Sequence, residues 1–439
     1  MKTGSRIIPS EVAMQQAWRF RLWGTGLIMT SQGKHIRVLE AGKLNTGPGP
    51  DFKDAKISVD GSIWAGAVEI HRNASDWHRH GHEKDRAYEN VVLHVVGNDD
   101  CRIRRPDGSE ILQTVMQIEP GFGDMFNGLL SGPRLVLPMC GRSLHLVADI
   151  FKTDWLTALA FERMQRKADD VLQRLGSENG DWFQTAYVTL ARGLGFGSNA
   201  DNMERLARAT PFRILLKHTD SIETVEAILF GQAGLLSDTN PADAYERNLA
   251  REYGFYKNKY GLTAPENLIW HTSARNIANT PYRRIALLAR FVCERGSDIG
   301  SRLCEKPDTH FIRTFLSVAL SEYWAYSFAF GRTTSSRMGT LGKQSQDLLI
   351  INVLAPLIYA RALETGHHEL LDGAMSVWED TAGEFNSITR GFEAHGIKAE
   401  NAFTSQALIQ LHREYCERRR CPECRLGHRL LSSLVAFSS

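Results

Sequence analysis

Apolar and polar residues alternate with a period of two over much of the first 135 residues, which is typical of β-strands. The pattern predicts strands over the segments Leu27–Thr30, His35–Glu40, Asp51–Val59, Ile63–His71 and Val91–Val96. The last of these is an apolar run, as expected of a strand buried on both faces. Helices are predicted over Glu11–Trp23, with Ser10 as N-cap, and from Ser75 to about Asn90.

From Leu146 onward the apolar residues recur with the 3.6-residue period of helices. The clearest helical segments are Trp155–Leu175, Trp182–Leu194, Ile222–Phe230, Tyr282–Glu294 and Leu348–Leu363. The sequence therefore predicts an α+β protein. A mixed-sheet domain over residues 1–135 is followed by a mostly helical domain over residues 136–439.

Composition adds few constraints. The chain has 439 residues, 43% hydrophobic and 23% charged, with a net charge of +2, so its bulk charge neither requires nor opposes a nucleic-acid partner. We expect no membrane partner, because no uninterrupted apolar window approaches the roughly 18 residues of a membrane span. The N-terminus lacks the apolar region of a signal peptide, and seven cysteines are an odd number, so we expect a reducing, cytoplasmic location.

Candidate chemistry concentrates around Asp51, Glu69 and His71. Residues two apart on a strand point to the same face, so Glu69 and His71 are predicted to lie side by side. A hairpin through Asp60-Gly61 can bring Asp51 next to them. Two neighbouring carboxylates repel each other, and a hard divalent cation such as Mg²⁺ or Mn²⁺ offsets this repulsion and activates water.

The hairpin register decides whether this site forms. A strict two-residue turn sets Asp51 opposite Ile70, facing away from Glu69, whereas a three-residue loop sets it opposite His71. Both registers give a plausible apolar face, so both stay open. The site needs the longer loop, a β-bulge, or a position of Asp51 just ahead of the regular strand.

The order helix, strands, helix, strand resembles the core of PD-(D/E)XK nucleases, with Gly49-Pro50-Asp51 entering one strand and Glu69-Ile70-His71 ending the next. The resemblance implies that Asp51 and Glu69 bind magnesium, and that Glu11 on the first helix is an additional acid. His71 stands where that family has lysine. Histidine can act as a base or as a softer metal ligand but lacks a fixed charge, which implies either a variant enzyme favouring manganese or a non-cleaving relative.

A second resemblance, to an uncharacterised bacterial family known as a domain of unknown function, covers nearly the whole chain. Its motifs here are Gly49-Pro50-Asp51-Phe52, Glu69-Ile70-His71, Ser75-Asp76-Trp77, His80-x-His82-x-x-Asp85, Tyr88-x-Asn90-Val91, Leu93-His94-Val95-Val96 and the terminal Tyr415-Cys416…Cys421-x-x-Cys424. This resemblance identifies relatives but implies no activity.

Histidines crowd the segment after Glu69. On the predicted helix, His78, His82, Asp85 and Glu89 share one face. Together with Asp76, His80 and His94 they are interpreted as a layer that supports the carboxylate site, or as an alternative site for zinc or manganese. The competing interpretation is a hydrogen-bonded polar face, with His94 a core histidine.

Three cysteines at ligand spacing, Cys416-x4-Cys421-x2-Cys424, lie near the C-terminus. The adjoining Arg418–Arg420 run is expected to lower the pKa of the thiols. A fourth ligand is either His428, giving a zinc site, or the distant Cys140, giving the iron–sulfur cluster that a resemblance to helicase-associated nucleases implies. Free thiols are the alternative.

The sequence as a whole favours a metal-dependent phosphodiesterase that acts on nucleic acid, DNA more than RNA. Arg275, Arg283 and Arg284 are candidate phosphate contacts, although a solvated helix end explains them equally well. One rival is a zinc- or manganese-dependent hydrolase of another class that uses the histidines. The other is a non-catalytic nucleic-acid-binding or scaffold protein that retains the nuclease fold.

Overall fold

An eight-stranded mixed sheet forms the centre of the N-terminal part of the structure, a computed structural model that describes residues 10–23, 26–131, 138, 140–237, 239–272, 277–302 and 308–437. The strands of this sheet are β1 (Ile28–Met29), β2 (His35–Glu40), β3 (Lys43–Leu44), β4 (Phe52–Val59), β5 (Ser62–Asn73), β6 (Val91–Asn98), β7 (Gln113–Ile118) and β10 (Val435–Phe437). Two further strands, β8 (Ser327–Ala329) and β9 (Arg332–Thr333), form a separate antiparallel pair. The sheet order is β1-β2-β4-β5-β6-β7-β10, with β3 also paired to β4; β5, β6 and β7 run parallel and the other pairs are antiparallel.

Helix α1 (Glu11–Arg19) covers this sheet, and its N-terminus is capped as expected because the Ser10 side chain accepts a hydrogen bond from the Ala13 amide. Trp18 on α1 is fully buried, and its indole N–H donates to the Ala41 carbonyl at 2.9 Å. The core between α1 and the sheet includes Met14, Ala17, Phe52, Ile57, Val68, Ile70, Leu93 and Val95.

The register between β4 and β5 combines a tight turn with a β-bulge. Val59 pairs with Ser62 across Asp60-Gly61, which is the strict two-residue turn. The pairing then shifts between Phe52 and Ala55, where Asp54 adopts a φ of 60°. Because of the extra residue, Phe52 and Ala55 are both buried although they lie three positions apart. Phe52 pairs with Val68, and the same register sets Asp51 opposite Glu69.

The predicted helix from Ser75 to Asn90 is wrong. Only one turn, α2 (Asp76–Arg79), is α-helical, and two 3₁₀ turns, His82–Lys84 and Arg86–Tyr88, follow it. Gly81 takes the left-handed conformation, with a φ of 75°, and ends the helix. The predicted helical face of His78, His82, Asp85 and Glu89 therefore does not form.

The chain divides into two compact units. The first comprises Met1–Leu156, Arg390–Ile397 and Leu411–Ser439, and the second comprises Thr157–Thr389 and Lys398–Gln410. The predicted division at residue 135 differs from this one. The prediction assigned residues 136–439 to the helical domain. In the structure the final segment returns to the sheet, where β10 pairs with β7.

The remaining helices confirm the α+β class, with a mixed sheet followed by a mostly helical part. The α-helices are Phe122–Ser131, Asp149–Ser177, Trp182–Leu194, Ala200–Ala209, Phe212–Leu215, Ile222–Gln232, Ala244–Tyr260, Pro281–Arg295, Thr309–Leu316, Glu322–Tyr326, Lys343–Leu349, Ala355–Thr365, Glu369–Glu379, Ser387–Glu393, Ala402–Gln410 and Arg425–Ser432. Further 3₁₀ turns are Gly141–Leu146, Leu216–His218 and Ile277–Asn279, and π-helical turns are Ile350–Leu354 and Leu411–Cys416.

Among the described residues, the continuous helical stretch Lys343–Thr365 is long and apolar enough to cross a membrane by length and composition. However, 67% of its most apolar window is buried inside the structure. Burial of this kind is typical of a core helix, which satisfies the same length and composition criteria.

Candidate functional site

The β-bulge brings two carboxylates together at the start of β4 and the middle of β5. The Asp51 amide donates to Glu69 Oε2 at 2.9 Å, and the Ile70 amide donates to Asp51 Oδ2 at 3.1 Å. Gln15, on α1, donates from Nε2 to Asp51 Oδ1 at 2.9 Å. Both oxygens of Asp51 thus accept hydrogen bonds, whereas Glu69 directs its second oxygen, Oε1, towards neighbouring imidazoles.

Burial changes the acidity of these carboxyl groups. Glu69 is 5% exposed, and its burial, followed by the charge of Asp51, holds the pKa of Glu69 well above its ordinary value. Burial also raises the pKa of Asp51. Glu11 belongs to the same electrostatic group, because burial and then the charge of Asp51 raise the pKa of its carboxyl. Ionising all three carboxyl groups together is therefore unfavourable unless a cation is present.

Three imidazoles meet around His71 Nε2, next to Glu69, to form what we call the histidine cluster: His71, His80 and His82. His71 Nε2 lies 3.2 Å from His80 Nδ1 and 3.3 Å from His82 Nε2. Glu69 Oε1 lies 3.5 Å from His71 Nε2 and 3.3 Å from His82 Nε2. One nitrogen from each imidazole falls within 4.8 Å of the other two, a spacing that suits a shared metal ion.

The cluster depends on the irregular segment that replaces the predicted helix. His71 lies on β5, His80 caps the end of α2, and His82 begins the 3₁₀ turn after Gly81. The left-handed Gly81 reverses the chain so that His80 and His82 both reach His71, which residues two apart on a regular helix would not do.

A chain of hydrogen bonds behind His71 fixes its protonation. Gln113 Nε2 donates to the Asp99 carboxylate at 2.6 Å and to the Cys101 carbonyl at 3.0 Å, so its Oε1 faces His94 Nδ1 at 3.0 Å and requires an N–H there. His94 Nε2 is then an acceptor, 2.9 Å from His71 Nδ1, which must carry the proton. The remaining His71 nitrogen, Nε2, therefore presents a lone pair to the cluster.

Burial keeps these imidazoles neutral. It lowers the pKa of His71 to about 2, with help from the neighbouring His94 and His82, and lowers the pKa of His94 to about 4. Burial also lowers the pKa of His82. The neutral imidazole is the form that binds metals, so His71 and His82 are in their ligating form at neutral pH.

The other residues predicted to support the site have separate roles. Asp76 is buried, accepts from the Asn73 amide at 3.0 Å and pairs with Arg79 at 2.9 Å, which closes the turn before His80. His78 points to Glu83 at 3.4 Å. Asp85 accepts from the Ala87 amide. The structure therefore does not bring His78 and Asp85 into the cluster.

Aromatic side chains pack against the histidines of the site. Tyr88 stacks on His82 with 3.8 Å between ring centroids, and Trp77 contacts His94 edge-on at 5.3 Å. Burial and the nearby carboxylates raise the pKa of Tyr88 to about 12, so its hydroxyl stays protonated.

Sequence reasoning missed Gln15 and Gln113. Gln113 is fully buried on β7, and a glutamine inside an otherwise strand-like segment was the available signal. Gln15 lies one turn after Glu11 and so shares its helical face, which the spacing alone indicates.

Two of the arginines predicted to contact phosphate, Arg283 and Arg284, instead bind groups within the protein. Arg283 is 2% exposed, and its guanidinium donates to the carbonyls of Ala278, Trp324 and Gly339. Arg284 donates to Asn279 and stacks over Phe196, and burial lowers its pKa to about 10. Both therefore stabilise the helical unit. Arg275 lies outside the described residues.

Four cysteines, whose thiols are potential metal ligands, line a second site that we call the cysteine cavity: Cys140, Cys416, Cys421 and Cys424. The structure thus brings the distant Cys140 to the three C-terminal cysteines. His428, the other candidate ligand, instead directs Nε2 to the Phe20 carbonyl at 3.2 Å.

The expectation that Arg418–Arg420 lowers the thiol pKa values is wrong. Burial, reinforced by the neighbouring thiols, raises the pKa of Cys140 and Cys416, and it raises the pKa of Cys421 to about 11. Arg418 pairs with Glu414 and Arg420 with Glu423, so desolvation outweighs the attraction of the basic run.

A family model described as "Protein of unknown function (DUF2851)" matches residues 11–387. This confirms the resemblance to an uncharacterised family. The matched span contains the histidine cluster and Cys140 and ends before Cys416. No curated protein and no solved structure matches the chain.

Proposed function

This chain belongs to the DUF2851 family of unknown function, and we propose from its site that it is a metal-dependent hydrolase whose metal ion is bound by His71, His80, His82 and Glu69. The observation that carries the proposal is the grouping of one nitrogen from each of the three imidazoles within 4.8 Å, with Glu69 Oε1 beside His71 and His82 and the relay through His94 holding His71 Nε2 as a lone pair.

The donor set fits a transition metal better than magnesium. Three nitrogens and one oxygen suit zinc or manganese, whereas magnesium favours oxygen ligands. Asp51 therefore acts as a neighbour that positions Glu69, rather than as the main ligand first predicted from the sequence. When bound, such an ion lowers the pKa of a coordinated water and withdraws charge from a phosphoryl or carbonyl oxygen.

The surroundings of the cluster suit an open, reactive site. His71 is buried, His82 is partly exposed and His80 is exposed, so the cluster extends from the core to the surface and water and substrate can reach it. Glu11, on the same face of α1 as Gln15, is our candidate for the group that accepts a proton from water, because its raised pKa places its ionisation nearer to neutral pH.

For the substrate, we propose phosphodiester bonds in nucleic acid, with DNA tested first. Support comes from the element order α1, β2, β4, β5, α2, β6 and from the placement of Asp51 opposite Glu69, the layout that resembles PD-(D/E)XK nucleases. A zinc- or manganese-dependent hydrolase of another substrate class is the second candidate, favoured by the imidazole-rich donor set.

The test combines metal analysis with cleavage assays. Purified protein is stripped of metal, reloaded with zinc, manganese or magnesium, and incubated with single- and double-stranded DNA and with RNA. We expect zinc or manganese to restore cleavage and His80→Ala and His82→Ala to abolish both metal binding and cleavage.

His78→Ala is the matched control, because His78 belongs to the same segment but faces Glu83. Equal metal binding by the His80→Ala variant and the His78→Ala variant would overturn the proposed site. Stoichiometric metal without cleavage of any nucleic acid would reject the nuclease activity and direct the search to esters and amides.

A further inference from the structure

The cysteine cavity is assembled from three separate parts of the first unit. Cys140 directly precedes the 3₁₀ turn Gly141–Leu146, Cys416 ends the π-helical turn Leu411–Cys416, and Cys421 and Cys424 precede the helix Arg425–Ser432. The described residues that line the cavity besides the thiols carry no charge: Phe392, Leu411, Tyr415, Leu426 and Gly427. Four thiols around one uncharged cavity are a complete ligand set for a cationic centre.

Backbone amides lie beside one of the sulfurs. The N–H groups of Leu426 and Gly427, in the first turn of the helix Arg425–Ser432, lower the pKa of the Cys424 thiol against the effect of its burial. A thiol sulfur is a weak acceptor, whereas a metal-bound thiolate is stabilised by such donors, which also tune the centre it binds. A β-carbon at position 427 would lie 2.3 Å from the Cys421 carbonyl oxygen, so only glycine allows the start of this helix to approach the Cys421 backbone so closely.

The spacing of the sulfurs distinguishes a single ion from a cluster. A tetrahedral zinc with bonds of about 2.3 Å holds its sulfurs about 3.8 Å apart. Within the part of the chain that the structure describes, which includes all four cysteines, no three of their sulfurs lie within 4.8 Å of one another. Irons separated by bridging sulfides hold their cysteine ligands further apart than a single ion does.

We propose that the cysteine cavity binds an iron–sulfur cluster through Cys140, Cys416, Cys421 and Cys424. Its role is structural. The helix that follows Cys424 leads into β10, which pairs with β7 through Val435 and Ile118, and Cys421 packs in the same core as Leu431 and Val435. The cluster therefore fastens the C-terminal segment to the edge of the sheet, and no electron transfer is required of it.

The first experiment is anaerobic purification of the full chain, followed by measurement of iron, acid-labile sulfide and zinc and by a visible spectrum. We expect iron and sulfide in equal amounts and broad visible absorbance. One zinc per chain without iron would overturn the cluster, and the absence of any bound metal would overturn the site.

Variants then test the ligand set. Alanine at each of the four cysteine positions is expected to remove the iron, whereas Cys101→Ala and His428→Ala are expected to retain it. Loss of iron in the His428→Ala variant with retention in the Cys140→Ala variant would overturn the proposed ligands.

Some cysteine variants will fail to fold, so a second measurement uses the unaltered protein. Removal of the cluster with an iron chelator and an oxidant is expected to make Leu411–Ser439 the first site of limited proteolysis. Unchanged proteolysis after loss of the iron would overturn the structural role. His80→Ala should retain full iron content, which separates this result from the proposed hydrolase activity.

Discussion

The histidine cluster and the cysteine cavity both gather metal-binding side chain types, yet they present them differently. The histidine cluster extends from a buried to an exposed residue, and its buried donor, His71, is neutral and oriented by a polar relay. The cysteine cavity is lined by apolar groups, and its thiols must lose protons that burial makes them hold tightly. Open sites with oriented donors are typical of catalysis, and closed thiolate sites are typical of structure.

The largest effect is expected when one ligand of each site is removed, because each variant should lose only the metal of its own site. His71→Ala should remove the transition metal while iron content is unchanged, and Cys416→Ala should remove the iron and strongly lower the thermal unfolding temperature. Metal analysis and calorimetry of both variants measure this. Loss of both metals in either variant would show that the two sites are not independent.

A smaller effect is expected behind the histidine cluster. Gln113→Leu removes the acceptor of His94 Nδ1, so His71 is no longer held in one tautomer, and metal affinity should fall by roughly 10- to 100-fold. Isothermal titration with zinc measures the change. Thr114→Val is the control, because Thr114 is equally buried on β7 but donates to the Met29 carbonyl outside the relay. Equal losses in both variants would contradict the relay.

The buried carboxylate should make the metal-free protein sensitive to pH. Because the pKa of Glu69 is raised in the folded state, its stabilising contribution is complete below the unfolded value of 4.5 and is lost as the pH rises through the folded pKa. The free energy of unfolding of the metal-free Glu69→Gln variant should therefore exceed that of the unaltered protein at pH 8 by on the order of 2 kcal/mol. At pH 5 this advantage of the variant should be smaller. Urea unfolding at the two pH values measures it, and a difference independent of pH would contradict it.

The smallest expected effect concerns the bulge. Asp54 has a φ of 60°, so Asp54→Gly should stabilise the protein by no more than about 1 kcal/mol without changing metal affinity. Deletion of Asp54 is the informative counterpart, because removal of the extra residue gives a regular strand that still sets Phe52 opposite Val68 and Asp51 opposite Glu69, so metal affinity should be retained. Denaturation and metal titration of both variants measure these effects, and loss of metal affinity in the deletion variant would show that the bulge itself shapes the site.

Much of the fold follows from local patterns that the sequence displays. The Ser10 cap, the Asp60-Gly61 turn, the apolar run of β6 and the helical periods after Leu146 all act between residues near in sequence. For the same reason the pairing of Glu69 with His71 on one strand face was predictable, since it needs only the two-residue repeat of a strand.

Tertiary structure decided the rest of the site. The bulge at Asp54 allows both Phe52 and Ala55 to be buried. The turn at Gly81 brings His80 and His82 together. The hydrogen-bond relay connects His71 to residues on two further strands. Cys140 likewise meets cysteines that lie far along the chain. The sequence by itself determined which side chains are available and the local elements that carry them. Only packing between distant segments decided which of them meet, because the free energy of those contacts depends on the whole core.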